Sequence, residues 1–301
     1  MVHEVGRRGL LAGGLAVALA AAGCRSAPTA GGGTRPGEIQ GPSEADAVRA
    51  LKAWAAFPVT ASPRPLVLVD APVLDPAGGF PDADGKLAYL AGAFDLPAGY
   101  PPGPARAAGL PLIGAKQAAG ALVAHGAVGP AGPVGRNRLR VTGIRLGSVG
   151  FRTDRGSVPL PAWLFRLAGV PQPAVVLAVA PSARFAPRLP AGAGHDLSLG
   201  NATLSADGRT VSVGFLSPDS GTTACKQRYA LRVVESPQAA ALRIGLVDAA
   251  DEEAEEEDNR PGICRDASYH RSASATLSVP LGARVLISAQ DGSPFPVASG
   301  T

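Results

Sequence analysis

Apolar and polar residues alternate with a period of two along much of the C-terminal third of the chain. ALRIGLV at 241–247 and SASATLSV at 272–279 alternate apolar and polar side chains between two faces, and TVSVGFL at 210–216, YALRVVE at 229–235 and RVLIS at 284–288 read as strands beside them. Turn chemistry separates them: Asp207-Gly208, Ser236 to Gln238, Pro280 to Gly282 and Asp291-Gly292. Short strands at this spacing predict an antiparallel β domain over 195–301, a β-sandwich or a small antiparallel sheet.

The preceding part of the chain mixes two periods. SEADAVRALKAWAAF at 43–57 opens with a capping serine, carries an acid early in its first turn and spaces apolar residues helically, which predicts a helix. PLVLVD at 65–70 reads as a buried strand and KLAYLAGAF at 86–94 as another, joined by DPAGGFPDADG as turn chemistry. AKQAAGALVA at 115–124 suits a short helix weakened by Gly120. Strands are expected at 139–146, 148–152 and 157–167, with Asp154, Arg155 and Gly156 as a hairpin turn, and AVVLAVA at 174–180 reads as fully buried. Trp163 and Phe165 share one strand face and Leu164 lies on the other, so this strand should be covered on both sides. The fold class that follows is mainly β with a few short helices, in two β-rich domains: 43–181 with an N-terminal helix, and 195–301, joined by a Pro/Ala/Gly-rich linker at 182–194.

Composition changes this picture in one respect. Of 301 residues 46% are hydrophobic, enough for a core, but 39 Gly and 29 Pro point to many turns and thin cores drawing on Val and Leu. Charge is more informative in its distribution than in its net +4. Asp248 and DEEAEEED at 251–258 hold eight of the 24 acidic groups, whereas seven Arg between Arg136 and Arg166 face the single Asp154. That asymmetry suits long-range attraction to anionic lipid or wall polymer. No aromatic interleaving or nucleic-acid module accompanies the arginines, so nucleic acid is not an expected partner.

The N-terminus has the layout of an export signal. Arg7 and Arg8 precede an uncharged run from Gly9 to Gly23. Those fifteen residues would span about 22 Å as a helix, short of a ~30 Å hydrocarbon core. AAAGC at 20–24 resembles a bacterial lipobox, with Ala21 where Leu is usual. The resemblance implies cleavage before Cys24, a signal peptide of 1–23 and diacylation of the Cys24 thiol. Arg7 and Arg8 followed by GLL also resemble a twin-arginine signal. Ordinary secretion competes, because small-x-small cleavage sites end at Ala20 and Ala22. Two acyl chains would anchor the protein stably, each buried methylene adding ~0.8 kcal/mol. Residues 24–42 then read as a flexible tether. With Cys24 lipidated, Cys225 and Cys264 remain as an even pair in an oxidising compartment, which predicts a disulfide. The hairpin of 229–235 and 241–247 would bring them together and close the acidic loop, for up to about 4 kcal/mol in the chain-entropy model. A metal site or a reactive thiol lacks the CxxC or neighbouring His it would need.

GFPDADGKLAYLAGAFDLP at 79–97, PAWLFRLAGVPQPAVVLAVAP at 161–181, and VVES, PLGARVL and DGSPFPV toward the end resemble an uncharacterised group of secreted or lipidated proteins of high-GC actinobacteria. The resemblance implies an extracytoplasmic, β-rich protein and supplies no site residues.

Recognisable catalytic chemistry is absent from the sequence. It has no GxSxG, P-loop, HExxH, CxxC or SxxK. His195-Asp196 reads as a loop at a domain start, because neighbours on a strand face opposite ways. DADG at 82–85 lacks the downstream Glu of a calcium loop and reads as a turn, and the acidic run reads as a solvated loop. No catalytic residue, metal site or cofactor is assigned. The expected function is a non-catalytic envelope lipoprotein held on the extracytoplasmic face by its lipid, binding an envelope protein, wall polymer or small ligand. The alternative is an extracytoplasmic hydrolase whose site is assembled from residues distant in sequence.

Overall fold

The structure is a computed structural model that describes residues 41–127, 138–189, 199–218, 229–246 and 268–299. Helix α1 is Glu44–Ala53, followed by β1 (Val73–Leu74), α2 (Ala83–Leu90), β2 (Phe94–Asp95), β3 (Arg106–Ala107), β4 (Leu110–Pro111) and α3 (Ala115–Gly126). Next come β5 (Leu139–Thr153), β6 (Gly156–Leu167), β7 (Ala174–Leu177) and a single 3-10 turn at Pro181–Ala183. The last part holds β8 (Leu199–Leu204), β9 (Thr210–Pro218), β10 (Tyr229–Glu235), β11 (Ala239–Leu246), β12 (Ser268–Thr276), β13 (Val285–Ser288) and β14 (Val297–Ser299). The described residues are mainly β, with several sheets and three short helices.

A five-stranded sheet in the order β1-β7-β6-β5-β2 frames the first part. Its centre is the β5–β6 hairpin, which turns at Asp154 and Arg155 with Gly156 at φ +90°, a backbone conformation that favours glycine. Pro159 and Pro161 sit inside β6 without disrupting it. The Pro161 carbonyl accepts from the Ala178 N–H on the β7 side, so the missing proline N–H would face away from β5 and costs that ladder nothing. Strand β6 is covered on both faces at Trp163, Leu164 and Phe165, as expected from the sequence. On one, Trp163, Phe165 and Leu167 pack with Tyr89 of α2 and Ala118, Ala119 and Leu122 of α3. On the other, Leu164, Leu160 and Ala162 pack with Phe151, Leu177 and Leu66, Leu68 and Leu112. The Trp163 indole N–H donates to the Ile113 carbonyl at 2.9 Å. Where α2 and α3 meet, Gly126 and Gly92 allow backbone contact; a Cβ on Gly126 would lie 2.2 Å from the Tyr89 carbonyl oxygen.

Two segments differ from the sequence reading. The 65–70 stretch forms isolated bridges, Leu66 with Arg184 and Leu68 with Thr153, because its alternate residues bond to two different neighbours and no ladder can run. The 86–94 stretch is helical at its start. Asp82 is the N-cap of α2, its Oδ1 accepting the Gly85 N–H at 2.6 Å, so DADG is a helix start rather than a turn between strands. The alternation of Leu87, Ala88, Tyr89 and Leu90 is too short to separate the two periods, and the cap decides it.

In the C-terminal part, the sheets β12-β9-β8-β14 and β10-β11-β13 enclose one core of Val211, Val213, Phe215, Leu231, Leu242, Ile244 and Leu286, a β-sandwich. The pairings β8–β9, β9–β12 and β10–β11 are antiparallel, but β13 joins β11 and β14 joins β8 in parallel. Parallel and antiparallel neighbours share the same two-residue side-chain alternation, so the pattern could not reveal these edges.

Helix α1, assigned by sequence to the first region, packs on the second. Ser43 and Asp46 form a reciprocal capping box, and Ala47, Ala50, Leu51 and Trp54 lie against Ala239, Ala241, Val285 and Ile287. The Trp54 indole N–H donates to the Gly292 carbonyl at 2.8 Å. Phe185, within the stretch read as a linker, stacks edge-on with Phe57 and packs on Trp54. The described residues all belong to one compact unit, Ile39–Thr301.

Candidate functional site: the basic base of the long hairpin

The arginines that dominate the middle of the sequence fall into two sets along β5–β6. At the tip, Arg155 donates to the carbonyls of Gly282 and Arg284 at 2.8 and 2.7 Å. The Arg64 guanidinium holds both oxygens of Asp154, at 3.2 and 2.5 Å, and donates to the Ala283 carbonyl. Asp154 is only 2% exposed, and the two guanidiniums supply its counter-charge. Burial pushes the Arg155 guanidinium below its ordinary value, Asp154 opposing and Arg64 adding to the fall. The contacted loop is itself braced: Arg284 bonds Glu235 at 2.6 Å, and the Ser278 N–H donates to the other Glu235 oxygen at 2.7 Å. Burial disfavours the Glu235 carboxylate, but those partners outweigh it and hold its pKa below the ordinary value. Further down the strand, Arg152 pairs with Asp70 at 2.7 Å.

The base of the hairpin is different. Arg140, Arg145 and Arg166 are exposed, and none has a described hydrogen-bond or ion-pair partner for its side chain. A register shift between Val141 and Gly143 inserts Thr142 as an extra residue in β5. Val141 opposes Leu167, Gly143 opposes Arg166 and Arg145 opposes Leu164. In a regular strand residues five apart point to opposite faces; the bulge turns Arg140 and Arg145 to the same face, where Arg166 also lies. Each is a diagonal neighbour of Arg166, about 7 Å away across the ladder. Gly143 and Gly147 on this face add no side chain between them. Arg138, beside the patch, is engaged: it bonds Asp95 at 2.6 Å and the Phe94 carbonyl at 2.6 Å. The Arg140–Arg166–Arg145 face therefore offers guanidinium donors suited to carboxylate or phosphate.

A second cluster joins three elements. Asp75 Oδ1 accepts the Tyr89 hydroxyl at 2.9 Å and lies 3.0 Å from His125 Nε2, tying the turn after β1 to α2 and to the last turn of α3. Burial and the bond to Asp75 push the Tyr89 phenol well above its ordinary range, so it stays a donor. Among the described residues no group of three His, Cys, Asp or Glu side chains gathers to hold a metal ion, and no described helix is long and apolar enough to cross a membrane.

The residues singled out by sequence divide accordingly. Cys24 and the stretches expected from the sequence to be a signal and a tether, up to residue 40, Cys225, Cys264, His195-Asp196 and the acidic run at 251–258 lie outside the described residues. Trp163, Phe165 and Leu164 are core. The Asp75–His125–Tyr89 cluster carried no sequence signal, its members lying far apart without a motif. The common face of Arg140, Arg145 and Arg166 had one faint signal, Gly143 inside a strand, which marks bulges. Comparison with protein-family models, with curated proteins and with solved structures finds no match to this chain.

Proposed function

We propose that the protein is an extracytoplasmic lipoprotein without catalytic activity, a β-rich body tethered through Cys24, whose Arg140–Arg166–Arg145 face holds an anionic envelope partner. The observation that carries this reading is the patch itself: three exposed arginines on one face of a rigid strand pair, with no described counter-charge bonded to them. Such a face attracts anions at long range and loses that attraction as salt screens it. The address rests on Arg7, Arg8, the uncharged run to Gly23 and the lipobox-like AAAGC, together with the even cysteine pair that Cys24 leaves behind.

For the address, intact-mass analysis of the membrane fraction should find a chain beginning at acylated Cys24, and non-reducing peptide maps should link Cys225 to Cys264. A lipid-free soluble product would overturn the anchor, and free thiols at both cysteines would overturn the bridge. For the face, full-length protein should co-sediment with a phosphate-bearing wall polymer at low salt. Arg140→Gln, Arg145→Gln and Arg166→Gln together should weaken this at least tenfold; unchanged binding would refute the reading.

The Asp75–His125 bond favours one alternative, an extracytoplasmic hydrolase, since a carboxylate-oriented imidazole is the usual general base of hydrolytic sites. Turnover of ester or glycoside substrates that His125→Ala abolishes would establish it, and turnover unaffected by that change would remove it.

A further inference from the structure

We infer that the open edge of β5 takes an extended, acid-rich polypeptide segment as an added strand. This rests on the reading above that the partner is anionic, and it names the partner's class. One edge of β5 is paired with β6 from end to end. The other has described partners only near its ends: β2 opposite Leu139 and Arg140, and the 68–70 segment at Arg152 and Thr153. Arg152 sets the pattern between them. Its N–H donates to the Asp70 carboxylate and its carbonyl accepts from Val69 and Asp70, both on the open side. By the two-residue alternation of a strand, Gly150, Ser148, Leu146 and Ile144 direct their N–H and C=O groups the same way.

Those four residues span about 20 Å of edge. Among the described residues nothing bonds to their outward backbone groups. A row of alternating donors and acceptors is a template for another strand. A phosphate polymer can meet the guanidiniums, but it carries no N–H groups to continue the ladder, so the edge favours a polypeptide.

Charge selects among polypeptides. Strand β5 carries Arg140, Arg145 and Arg152 and no Asp or Glu, so edge-to-edge pairing of two copies would oppose like charges. Proline is absent from β5 and no described residue hydrogen-bonds to the outward backbone of the 144–150 edge, leaving charge to discriminate between partners. An added strand with carboxylates on the patch face would set one beside Arg145, within reach of Arg166.

The experiment uses the full-length chain and two synthetic ten-residue probes, one alternating Val with Glu and one alternating Val with Lys. The Glu probe should bind and slow amide hydrogen exchange over 144–150 at least tenfold; the Lys probe should do neither. Ser148→Pro removes an N–H that faces no partner and should cut affinity for the Glu probe at least tenfold while leaving thermal unfolding nearly unchanged. Arg145→Glu should shift the preference toward the Lys probe, a readout that does not depend on how Ser148→Pro folds. Equal binding of the Glu probe to wild type and Ser148→Pro with no change in exchange, or no preference between probes, overturns the inference. Arginine-dependent binding of the wall polymer without binding of the Glu probe removes the added strand and leaves the basic face standing. Loss of both removes both.

Discussion

Arginine occurs at both ends of the β5–β6 hairpin, and the two ends put it to opposite uses. At the tip, Arg64 and Arg155 close on the buried Asp154 and on the carbonyls of Gly282, Ala283 and Arg284, joining the five-stranded sheet to the sandwich. At the base, Arg140, Arg145 and Arg166 point into solvent with no described partner. The same guanidinium is a structural donor where a buried carboxylate and carbonyls surround it, and an available charge where the neighbours are glycines and an open edge. Burial separates the two roles: a charge removed from water must be paired, and an exposed one need not be.

The comparison breaks most sharply at Asp154. Asp154→Ala would leave two half-buried guanidiniums without counter-charge, and stability should fall by about 3–5 kcal/mol in urea denaturation; a loss near zero would mean the tip is not held by this pair. A smaller effect is expected at Glu235, which braces the contacted loop. Its folded pKa lies below its unfolded value, so its contribution is present above the ordinary carboxylate pKa and is lost as pH falls through the lowered folded value. The melting temperature should therefore drop in acid, and Glu235→Gln should cost about 1–2 kcal/mol at neutral pH while flattening the acid limb. The smallest effect belongs to the base: replacing Arg140, Arg145 and Arg166 together by Gln should change stability by no more than about 0.5 kcal/mol. A larger loss in the same denaturation series would make those arginines structural as well.

Much of the fold was legible because local chemistry decided it. Ser43 and the acid early in the following turn marked the start of α1, the apolar run at 174–180 marked a buried strand, and Asp207-Gly208, Pro280 to Gly282 and Asp291-Gly292 marked turns now seen with glycine at positive φ. Trp163, Leu164 and Phe165 announced a strand covered on both faces. The segments that misled were short. KLAYL satisfies either period over five residues, and only the Asp82 cap, whose role depends on a backbone N–H three residues later, makes it helical. PLVLVD is apolar enough for a strand, yet its bonds are shared between Arg152 on one side and the 183–185 turn on the other. The candidate site was half legible: the excess of arginine was plain, but its division into paired and unpaired sets was not.

By itself the sequence determined the β-rich class, most strand positions and turns, and the basic middle. These follow from properties of near neighbours, namely side-chain period, turn residues and runs of charge. Only the tertiary structure decided that α1 belongs on the sandwich, that β13 and β14 close their sheets in parallel, and that one extra residue, Thr142, turns Arg140 to the face of Arg145 and Arg166. Each of these depends on what lies across a sheet or against a helix, and such partners stand far away in the chain.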